Sequence, residues 1–396
     1  MDAVIVAAVR SPIGRAYKGS LAGVRADDLA AQVVRTALDR VPALDPATLD
    51  DLIMGCAQPA GEQGYNLGRQ VAMHLGFDMV PGTTVNRYCA SSLQAIRMAF
   101  HAIRAGEGHA FVAAGAEIVS HYPAGKSDGM PDTKNPRWPT FAPSARWSDP
   151  RDSGGLPDVY VAMGETAENV AQLCGVSRHE QDEFAVRSQN NAEKAQADGF
   201  WDLDITPVTL PDGTVARRDD GPRAGVTLDK VAALQPAFRP DGTVTAGNCC
   251  PLNDGAAALV IMSAQRAREL GLTPLARIVS TGVSALSPEI MGLGPVEATR
   301  RALAHAGMSI SDIDLVEINE AFAAQVIPSY RQMGADLDRV NVHGGAIAVG
   351  HPFGMTGARI ATTLINGLVH RDGQFGLETM CTAGGQGMAM VVERLS

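Results

Sequence analysis

The sequence predicts an α/β protein with two similar halves and a long segment inserted into the first of them. Apolar, strand-like runs alternate with amphipathic helical stretches over residues 3–120 and again over 254–396. Strands as uniformly apolar as 110–114 indicate a mostly parallel sheet covered by helices on both faces. The second stretch repeats the order of the first, so a duplicated βα unit that stacks on itself is a better interpretation than one large doubly wound sheet.

The first half contains a regular series of predicted elements. In chain order they are a strand to residue 9, a helix over 27–38, a strand over 49–55, a helix over 66–75, a short strand over 83–85, a helix over 89–106 and a strand over 110–114. Asp27 or Asp28 caps the first helix, and Gly106 ends the third. These residue types are expected to set the boundaries of the two helices.

The segment after residue 120 has a different character. Pro, Gly, Asp, Lys and Arg dominate up to Pro157, a helical stretch follows over 164–197, and a loop-rich region comes after it. A structureless loop of about 125 residues is improbable. We therefore interpret 121–246 as an inserted domain.

The second half begins near Pro274. Its predicted elements are a strand over 276–281, a helix from Pro295 to Gly307, a strand over 313–318 that echoes 49–54, a stretch over 339–342 that echoes 84–87, and strands over 377–381 and 388–392 that echo 110–114 and 259–262. The predicted division is thus a first half of residues 1–120 with 247–270, an inserted domain of 121–246 and a second half of 271–396.

Composition excludes several classes of function. The chain has 396 residues, 45% hydrophobic and 19% charged, and its net charge of -10 argues against a nucleic-acid backbone as the main partner. No apolar stretch is long enough to span a bilayer, and the chain enters its first strand without a leader peptide. The six cysteines show no CxxC pair or zinc-ligand spacing, which indicates free thiols, no metal and a reducing, cytoplasmic location. A redox function for the adjacent Cys249 and Cys250 stays open as an alternative.

Cys89 is the candidate nucleophile. An apolar run stops at this cysteine, and an amphipathic helix follows it. Unpaired backbone N–H groups and the helix dipole favour a thiolate at such a position. Taken alone, the pattern is more typical of a buried cysteine that acts as a small hydrophobe.

Three stretches of the second half supply candidate partners. Five glycines surround His343 and His351 over 341–357, and a histidine at such a bend can take a thiol proton. Cys381 lies in a glycine-rich turn after a buried strand, where a core thiol is the alternative interpretation. Asn319 and Glu320 end the preceding strand, at the sheet edge where open α/β sheets bind ligands.

Taken together, these stretches resemble the thiolase family. VNRYCASSLQA around Cys89, NEAFA at Asn319, GGAIAxGHPxGxTG around His351 and CTAGGQG at Cys381 are similar to its four active-site motifs in order and spacing. TAGN at 245–248 and NDGAAA at 253–258 resemble its region for binding coenzyme A (CoA). The resemblance covers the whole chain and implies a five-layered α-β-α-β-α core with an inserted loop domain.

The resemblance also implies a role for each motif residue. Cys89 would be the nucleophile, His351 its base, and Cys381 the second acid/base at the α-carbon of acetyl-CoA. One oxyanion site would use His351 and a water held by Asn319, and the other would use the backbone N–H groups of Cys89 and Ala383. CoA and acyl-CoA would be substrates, with no permanently bound cofactor and no metal.

Other positions match the family's CoA and acyl contacts. The resemblance implies that these are Met163, Arg223, Phe238, Ala246 and Phe322. A guanidinium suits the nucleotide end of CoA, although a surface ion pair is an equally good interpretation of Arg223.

Four departures from the family pattern bear on activity. Ser92 and Ala383 stand where glycines are usual, and Ala383 is expected to tighten or distort its oxyanion site. Cys249 and Cys250 replace small or hydroxyl residues near the pantetheine. Ala162 replaces a histidine of members specific for acetoacetyl-CoA, which favours a roomier acyl pocket.

The sequence thus predicts an acetyl-CoA acyltransferase that cleaves 3-oxoacyl-CoA. The nearest alternative is synthesis of acetoacetyl-CoA from two acetyl-CoA molecules, and a more distant one is a non-catalytic CoA or lipid carrier. The resemblance also implies a homodimer or homotetramer, with a hydratase/dehydrogenase partner as a further option.

Overall fold

The computed structural model of the protein describes residues 1–124, 134–138 and 146–396. Residues 125–133 and 139–145 of the predicted insertion therefore lie outside the described residues. The strands are β1 (Ala3–Arg10), β2 (Gly14–Arg15), β3 (Asp51–Gly55), β4 (Gly82–Val85), β5 (Ala110–Ile118), β6 (Val208–Thr209), β7 (Val215–Ala216), β8 (Asn253–Ser263), β9 (Ala276–Ala285), β10 (Leu315–Ile318), β11 (Phe375–Thr382) and β12 (Gln386–Arg394).

Helices alternate with these strands in both halves. They are α1 (Ala26–Asp39), α2 (Leu67–His74), α3 (Ser91–Ala105), α4 (Met163–Cys174), α5 (Arg178–Ala197), α6 (Trp201–Asp204), α7 (Leu228–Ala232), α8 (Ala264–Glu269), α9 (Gly294–Ala306), α10 (Ala323–Met333), α11 (Ala346–Val349) and α12 (Thr356–His370). The helix predicted over 164–197 is in fact two helices, because Gly175 takes a left-handed φ of 67° and Ser177 caps α5.

The strands form two equivalent sets. The first set has the order β4-β3-β5-β8-β1 and the second β10-β11-β12-β9, and the two sets join where β1 pairs with β9 at Ile5 and Ala276. Val340 forms a parallel bridge with β10 in the place that β4 takes beside β3. The predicted duplication and the α/β class are confirmed.

The prediction of a mostly parallel sheet is wrong. Among the described strands of this sheet, β3 runs parallel to β4 and β5, β10 runs parallel to β11, and the other pairs are antiparallel. Strands buried on both faces are uniformly apolar in either direction, so the apolar run did not determine strand direction.

Apolar cores fill the spaces between five layers. Helices α1 and α2 cover the outer face of the first set of strands, and α9 and α10 cover the outer face of the second. Helices α3 and α12 pack between the two sets, where Leu93, Ile96, Ile360 and Leu364 are fully buried. This is the expected α-β-α-β-α arrangement, and it brings the starts of α3 and α12 together.

Ionic contacts tie the inserted segment to this core. Asp204 of α6 accepts hydrogen bonds from Arg10 of β1 at 3.4 Å and from Thr363 and Asn366 of α12 at 2.6 and 2.8 Å. Asp219 pairs with both terminal nitrogens of Arg10 at 2.7 and 2.9 Å. The insertion is therefore held against elements from both halves.

Candidate active site

Cys89 lies in a tight turn just ahead of α3. The turn spans Tyr88–Ala90, and Tyr88 takes a left-handed φ of 43°. The turn packs against the end of β11 and the 3-10 turn Phe353–Met355. The backbone N–H groups of Cys89 and Ala383 both lie within hydrogen-bond reach of the thiol sulfur. The predicted pair of oxyanion donors is thus brought together at this sulfur.

The predicted thiolate at Cys89 is wrong for the protein without substrate. The side chain is only 8% exposed, and burial raises the pKa of the Cys89 thiol to about 12. The two N–H groups lower this pKa, whereas the Glu117 carboxylate raises it further. Loss of solvation outweighs the helix-start effect because Cys89 precedes the helix and is enclosed by second-half loops.

His351 is held as a neutral imidazole with a defined tautomer. Its Nδ1 lies 2.6 Å from Thr356 Oγ1, and that hydroxyl donates its own proton to the carbonyl of Pro352 at 2.7 Å. Nδ1 must therefore be the donor, and Nε2 keeps its lone pair. Burial, followed by the charge of Arg359, lowers the pKa of His351 to about 3. The arrangement presents Nε2 as a proton acceptor.

Asn319 lies beside this acceptor. Its Nδ2 donates to His351 Nε2 at 3.2 Å, and its backbone N–H donates to Thr379 of β11. Its Oδ1 is buried and has no partner within the described parts of the chain. An unpaired buried acceptor costs free energy unless water or a ligand satisfies it, so Asn319 has the chemistry needed to hold a water molecule.

Cys381 lies at the end of β11 in an apolar surrounding. It packs in one cluster with Met163, Phe322 and Cys249. Burial raises the pKa of the Cys381 thiol, and the nearby Cys89 raises it further. The electrostatic effect places the two catalytic candidates in the same site.

The predicted CoA and acyl contacts fall into two groups. Met163 and Phe322 belong to the cluster around Cys381, and the ring of Phe238 meets Phe322 edge-on at 6.1 Å. Arg223 and Ala246 instead line a separate cleft of about 320 Å³. The structure thus distributes the predicted contacts between the apolar cluster around Cys381 and a separate cleft that contains cationic side chains.

The structure shows the surroundings of Ser92 and Ala383, the two residues that stand where the family pattern has glycine. Ser92 Oγ accepts a hydrogen bond from the backbone N–H of Ala358, in the first turn of α12, at 2.9 Å. In the turn after Cys381, the left-handed conformation falls on Gly384 and Gly385, at φ 75° and 76°. The expected distortion at Ala383 is therefore wrong, because the position that needs glycine is the next one.

Cys249 and Cys250 are both free thiols. The backbone N–H of Cys250 donates to Ala321, and Cys249 bridges to Phe322. Burial raises the pKa of both thiols, to about 11 for Cys249. They therefore form one wall of the site as neutral groups.

Several residues position the site although no sequence pattern predicted that role for them. Glu117 is fully buried and accepts hydrogen bonds from the backbone of Ala57 and Gly354 at 2.7 and 2.8 Å. Asn253 Oδ1 accepts from the backbone N–H of His351 at 3.0 Å. An acid at the end of a buried strand was the available signal for Glu117, and NDGAAA marked Asn253 only as part of a CoA region.

Glu320 is not free to meet a ligand. Its carboxylate accepts hydrogen bonds from Ser188 Oγ at 2.6 Å, Asn341 Nδ2 at 2.8 Å and the backbone N–H of Ile347 at 3.1 Å. It therefore organises the glycine-rich loop that leads to His351. Of the two polar groups at this strand end, the site uses Asn319.

The described residues contain neither a metal-binding cluster nor a helix that could span a membrane. No set of three or more His, Cys, Asp or Glu side chains within them is arranged to hold a metal ion. Across the same residues, the longest apolar helices fall short of what a membrane crossing requires.

Comparison with known proteins places this geometry in a family. The model described as "Thiolase, N-terminal domain" matches residues 3–265, and "Thiolase, C-terminal domain" matches 272–394. The chain is 46% identical to an acetyl-CoA acetyltransferase from Cupriavidus necator over 99% of both chains, and 45% identical to a beta-ketoadipyl-CoA thiolase from Escherichia coli over 100% of both.

Two further proteins extend the comparison. A 3-ketoacyl-CoA thiolase from Bacillus subtilis is 44% identical over 99% of both chains. The crystal structure of the acetyl-CoA acetyltransferase from Bacillus anthracis superposes with a TM-score of 0.88 at 40% identity, covering 100% of this chain and 99% of that one.

Proposed function

The chain belongs to the thiolase family and is an acyltransferase, and from that premise we propose that it cleaves 3-oxoacyl-CoA with CoA, through an acyl-Cys89 intermediate, into acetyl-CoA and a shortened acyl-CoA. The observation that carries the proposal is that the backbone N–H of Ala383 and the Cys381 thiol lie near the Cys89 sulfur, while Asn319 contacts His351. Cys89 comes from the first half, and His351, Asn319, Cys381 and the N–H of Ala383 come from the second.

The first stage forms the acyl-enzyme. His351 Nε2 takes the proton of the Cys89 thiol, and the sulfur attacks the carbonyl carbon far from CoA. The backbone N–H groups of Cys89 and Ala383 donate to the oxyanion of the tetrahedral intermediate. Collapse of this intermediate breaks the bond between the carbonyl carbon and the α-carbon.

The second stage releases acetyl-CoA. Breaking that bond leaves the enolate of acetyl-CoA, whose oxygen accepts hydrogen bonds from protonated His351 and from a water held by Asn319. Cys381 then donates its proton to the α-carbon and becomes a thiolate. Its apolar surroundings favour the return of a proton because they raise the pKa of its thiol.

The third stage regenerates the enzyme. Cys381 takes the proton of the incoming CoA thiol, and the CoA sulfur attacks acyl-Cys89. The Cys89 sulfur leaves and regains its proton from His351. All three groups then return to the neutral forms that burial favours.

The preference for chains longer than four carbons rests on the acyl pocket. Ala162 is exposed immediately ahead of α4, next to Met163 of the apolar cluster, and carries only a methyl group. The relatives are named for acetyl-CoA, beta-ketoadipyl-CoA and 3-ketoacyl-CoA, so their names do not select one acyl group, and a comparison of rates distinguishes the substrates.

The test is a panel of 3-oxoacyl-CoA substrates at saturating CoA. We expect a higher kcat/KM for 3-oxooctanoyl-CoA than for acetoacetyl-CoA, with 3-oxoadipyl-CoA as a third arm. A far better rate with acetoacetyl-CoA, together with condensation of two acetyl-CoA molecules, would support the biosynthetic alternative. A protein that binds CoA but forms no acyl-Cys89 would instead be a carrier.

The assembly and division of the chain are further parts of the proposal. We propose a homodimer or homotetramer, supported by Tyr65 and Met79, which are 96% and 81% exposed near the edge strand β4. Light scattering after gel filtration tests this, and a monomer at micromolar concentration would contradict it. A hydratase/dehydrogenase partner stays a prediction.

The predicted boundaries and location belong to the same proposal. We propose that 1–120 with 247–270, 121–246 and 271–396 are the three structural units, supported by the two equivalent strand sets and by the helices inserted between β5 and β8. Six free cysteines support a reducing, cytoplasmic location.

A further inference from the structure

The charge of the cleft lined by Arg223 and Ala246 is unusual for an acidic chain. It has a volume of about 320 Å³, and three cationic residues, Arg15, Arg223 and Lys230, contribute to its lining. That lining, as far as the structure describes it, contains no carboxylate, although the chain has a net charge of -10. A cleft of this composition suits an anion.

Hydrogen bonds hold the backbone in place at both Arg15 and Arg223. The Asp220 carboxylate accepts hydrogen bonds from the backbone N–H groups of Arg15 and Ser20 at 2.9 and 2.8 Å. The backbone N–H of Arg223 donates to Gln189 Oε1 at 3.1 Å. These contacts fix the backbone positions from which the two side chains extend. On the arginines they involve only the main-chain N–H groups, not the guanidinium groups.

The two guanidinium groups themselves are left without partners. Among the described residues, neither the Arg15 nor the Arg223 side chain makes an ion pair or a hydrogen bond. Partial burial, followed by the charge of Arg15, lowers the pKa of Arg223, which places the two cations within electrostatic reach of each other. Like charges kept close on anchored backbone are stabilised by a shared anion.

The anchoring also connects this cleft to the catalytic loop. Gly221 lies so close to α11 that a Cβ there would come within 2.2 Å of the carbonyl oxygen of Ala348. Gln189, which holds Arg223, also donates to the carbonyl of Ile347 at 3.3 Å. A ligand group in the cleft is therefore positioned relative to His351, which follows α11.

We propose that Arg15 and Arg223 together clamp one phosphate group at the nucleotide end of CoA. The short strand β2, which carries Arg15, and the inserted segment, which carries Arg223, then both contact the substrate. The inference rests on the proposed function. It adds Arg15, a residue of the first half for which the sequence analysis made no prediction. The group bound by the two arginines is a phosphate of CoA, either the 3′-phosphate or one in the pyrophosphate.

The test compares Arg15→Gln with Lys18→Gln, which removes an exposed cation three residues away and outside the cleft. We expect Arg15→Gln to raise the KM for CoA and acetoacetyl-CoA about tenfold or more at unchanged kcat, as for a lost charge-assisted hydrogen bond. With pantetheine and acetoacetyl-pantetheine, which lack the nucleotide, the variant and the wild type should have the same kcat/KM.

Dephospho-CoA distinguishes the two phosphate sources. If Arg15→Gln removes the preference for CoA over dephospho-CoA, the clamp holds the 3′-phosphate. If the variant weakens both equally and spares pantetheine, the clamp holds the pyrophosphate. A KM within twofold of that of Lys18→Gln, or an equal loss with pantetheine substrates, would overturn the proposal.

A binding measurement separates this inference from the proposed function. Calorimetric titration with adenosine 3′,5′-bisphosphate and with ADP needs no turnover, and Arg15→Gln should weaken at least one of them about tenfold or more. A wild-type protein that cleaves neither thioester but binds these nucleotides through Arg15 would refute only the proposed function.

Discussion

Burial keeps the reacting groups of the site neutral, because an ionised thiol or imidazole loses its solvation there. It raises the pKa of Cys89 to about 12 and lowers that of His351 to about 3. Proton transfer between them is therefore unfavourable until a substrate oxyanion or enolate stabilises the charges. The site is thus arranged to ionise only when it is occupied.

Alkylation of Cys89 is expected to accelerate steeply with pH. The thiolate fraction rises about tenfold per pH unit below a pKa of about 12, so the rate with iodoacetamide should still be rising at about pH 10. Mass spectrometry of the labelled peptide measures this rate, with Cys89→Ala as the unlabelled control. A plateau near neutral pH would show that the thiolate already forms in the free protein.

The two catalytic cysteines should fail at different stages. Cys89→Ala should form no acyl-enzyme, whereas Cys381→Ala should still acylate Cys89 from acetyl-CoA but lose condensation and cleavage by about 100- to 10,000-fold, as for a lost acid/base. Intact-protein mass and steady-state rates measure both effects. Cys174→Ala, at the half-buried end of α4, is the control. Condensation by an acylated Cys381→Ala protein would contradict the assigned roles.

Among the secondary-structure elements, the helix starts at the centre of the molecule are the decisive feature. A Cβ at Gly357 of α12 would come within 2.4 Å of the backbone nitrogen of Leu93 in α3, so only glycine allows this approach. Because the two helices are this close, Ser92 Oγ accepts a hydrogen bond from the backbone N–H of Ala358, which lies in the first turn of α12. One hydroxyl thereby links the helix behind Cys89 to the helix behind His351.

Removal of this hydroxyl should destabilise the protein measurably. We expect Ser92→Ala and Ser92→Gly to lower the free energy of unfolding by about 1 kcal/mol, as for a lost helix cap. Chemical denaturation at one fixed protein concentration measures the change. Both variants lose the same hydrogen bond, so wild-type stability in both would mean that the N–H of Ala358 finds another acceptor.

At the scale of the whole molecule, the inserted segment and the two halves share one buried ionic contact. Asp204 is fully buried and lies between Arg10 of the first half and α12 of the second. Removing one partner of a buried ion pair leaves an uncompensated charge. The contact therefore couples three parts of the chain.

Asp204→Ala should accordingly lower the free energy of unfolding by about 3 kcal/mol. Asp202→Ala removes an exposed carboxylate from the same short helix and should change it by less than about 0.5 kcal/mol. Denaturation of both variants under identical conditions provides the comparison. Equal stabilities would show that Asp219 alone satisfies Arg10.

Local sequence patterns predicted much of the fold. Apolar runs and glycine stops located the strands and helices of both halves, and their repeated order predicted the duplication. Strand direction was not predictable, because buried strands have the same composition in either direction. The break between α4 and α5 was also missed, although Gly175 and the Ser177 capping box are visible in the sequence.

The sequence predicted which residue types form the candidate site, but it did not predict their protonation states. The motifs pointed to Cys89, His351, Asn319 and Cys381, and the structure brings Cys89 near Cys381 and Asn319 into contact with His351. The pKa of Cys89 depends on enclosure by loops almost 300 residues away in the chain, which no local pattern contains. The hydrogen bonds of Glu117 and Asn253 are long-range for the same reason.

The position of α12 between the two sets of strands has a consequence for the order of folding. The candidate nucleophile and its candidate base come from different halves, which pack together only when both sets of strands close on α3 and α12. Contacts so distant in sequence form late, since their loop-closure entropy must first be overcome. Recovery of enzymatic activity during refolding therefore follows the final docking of the halves, and recovery of helical circular dichroism should precede it.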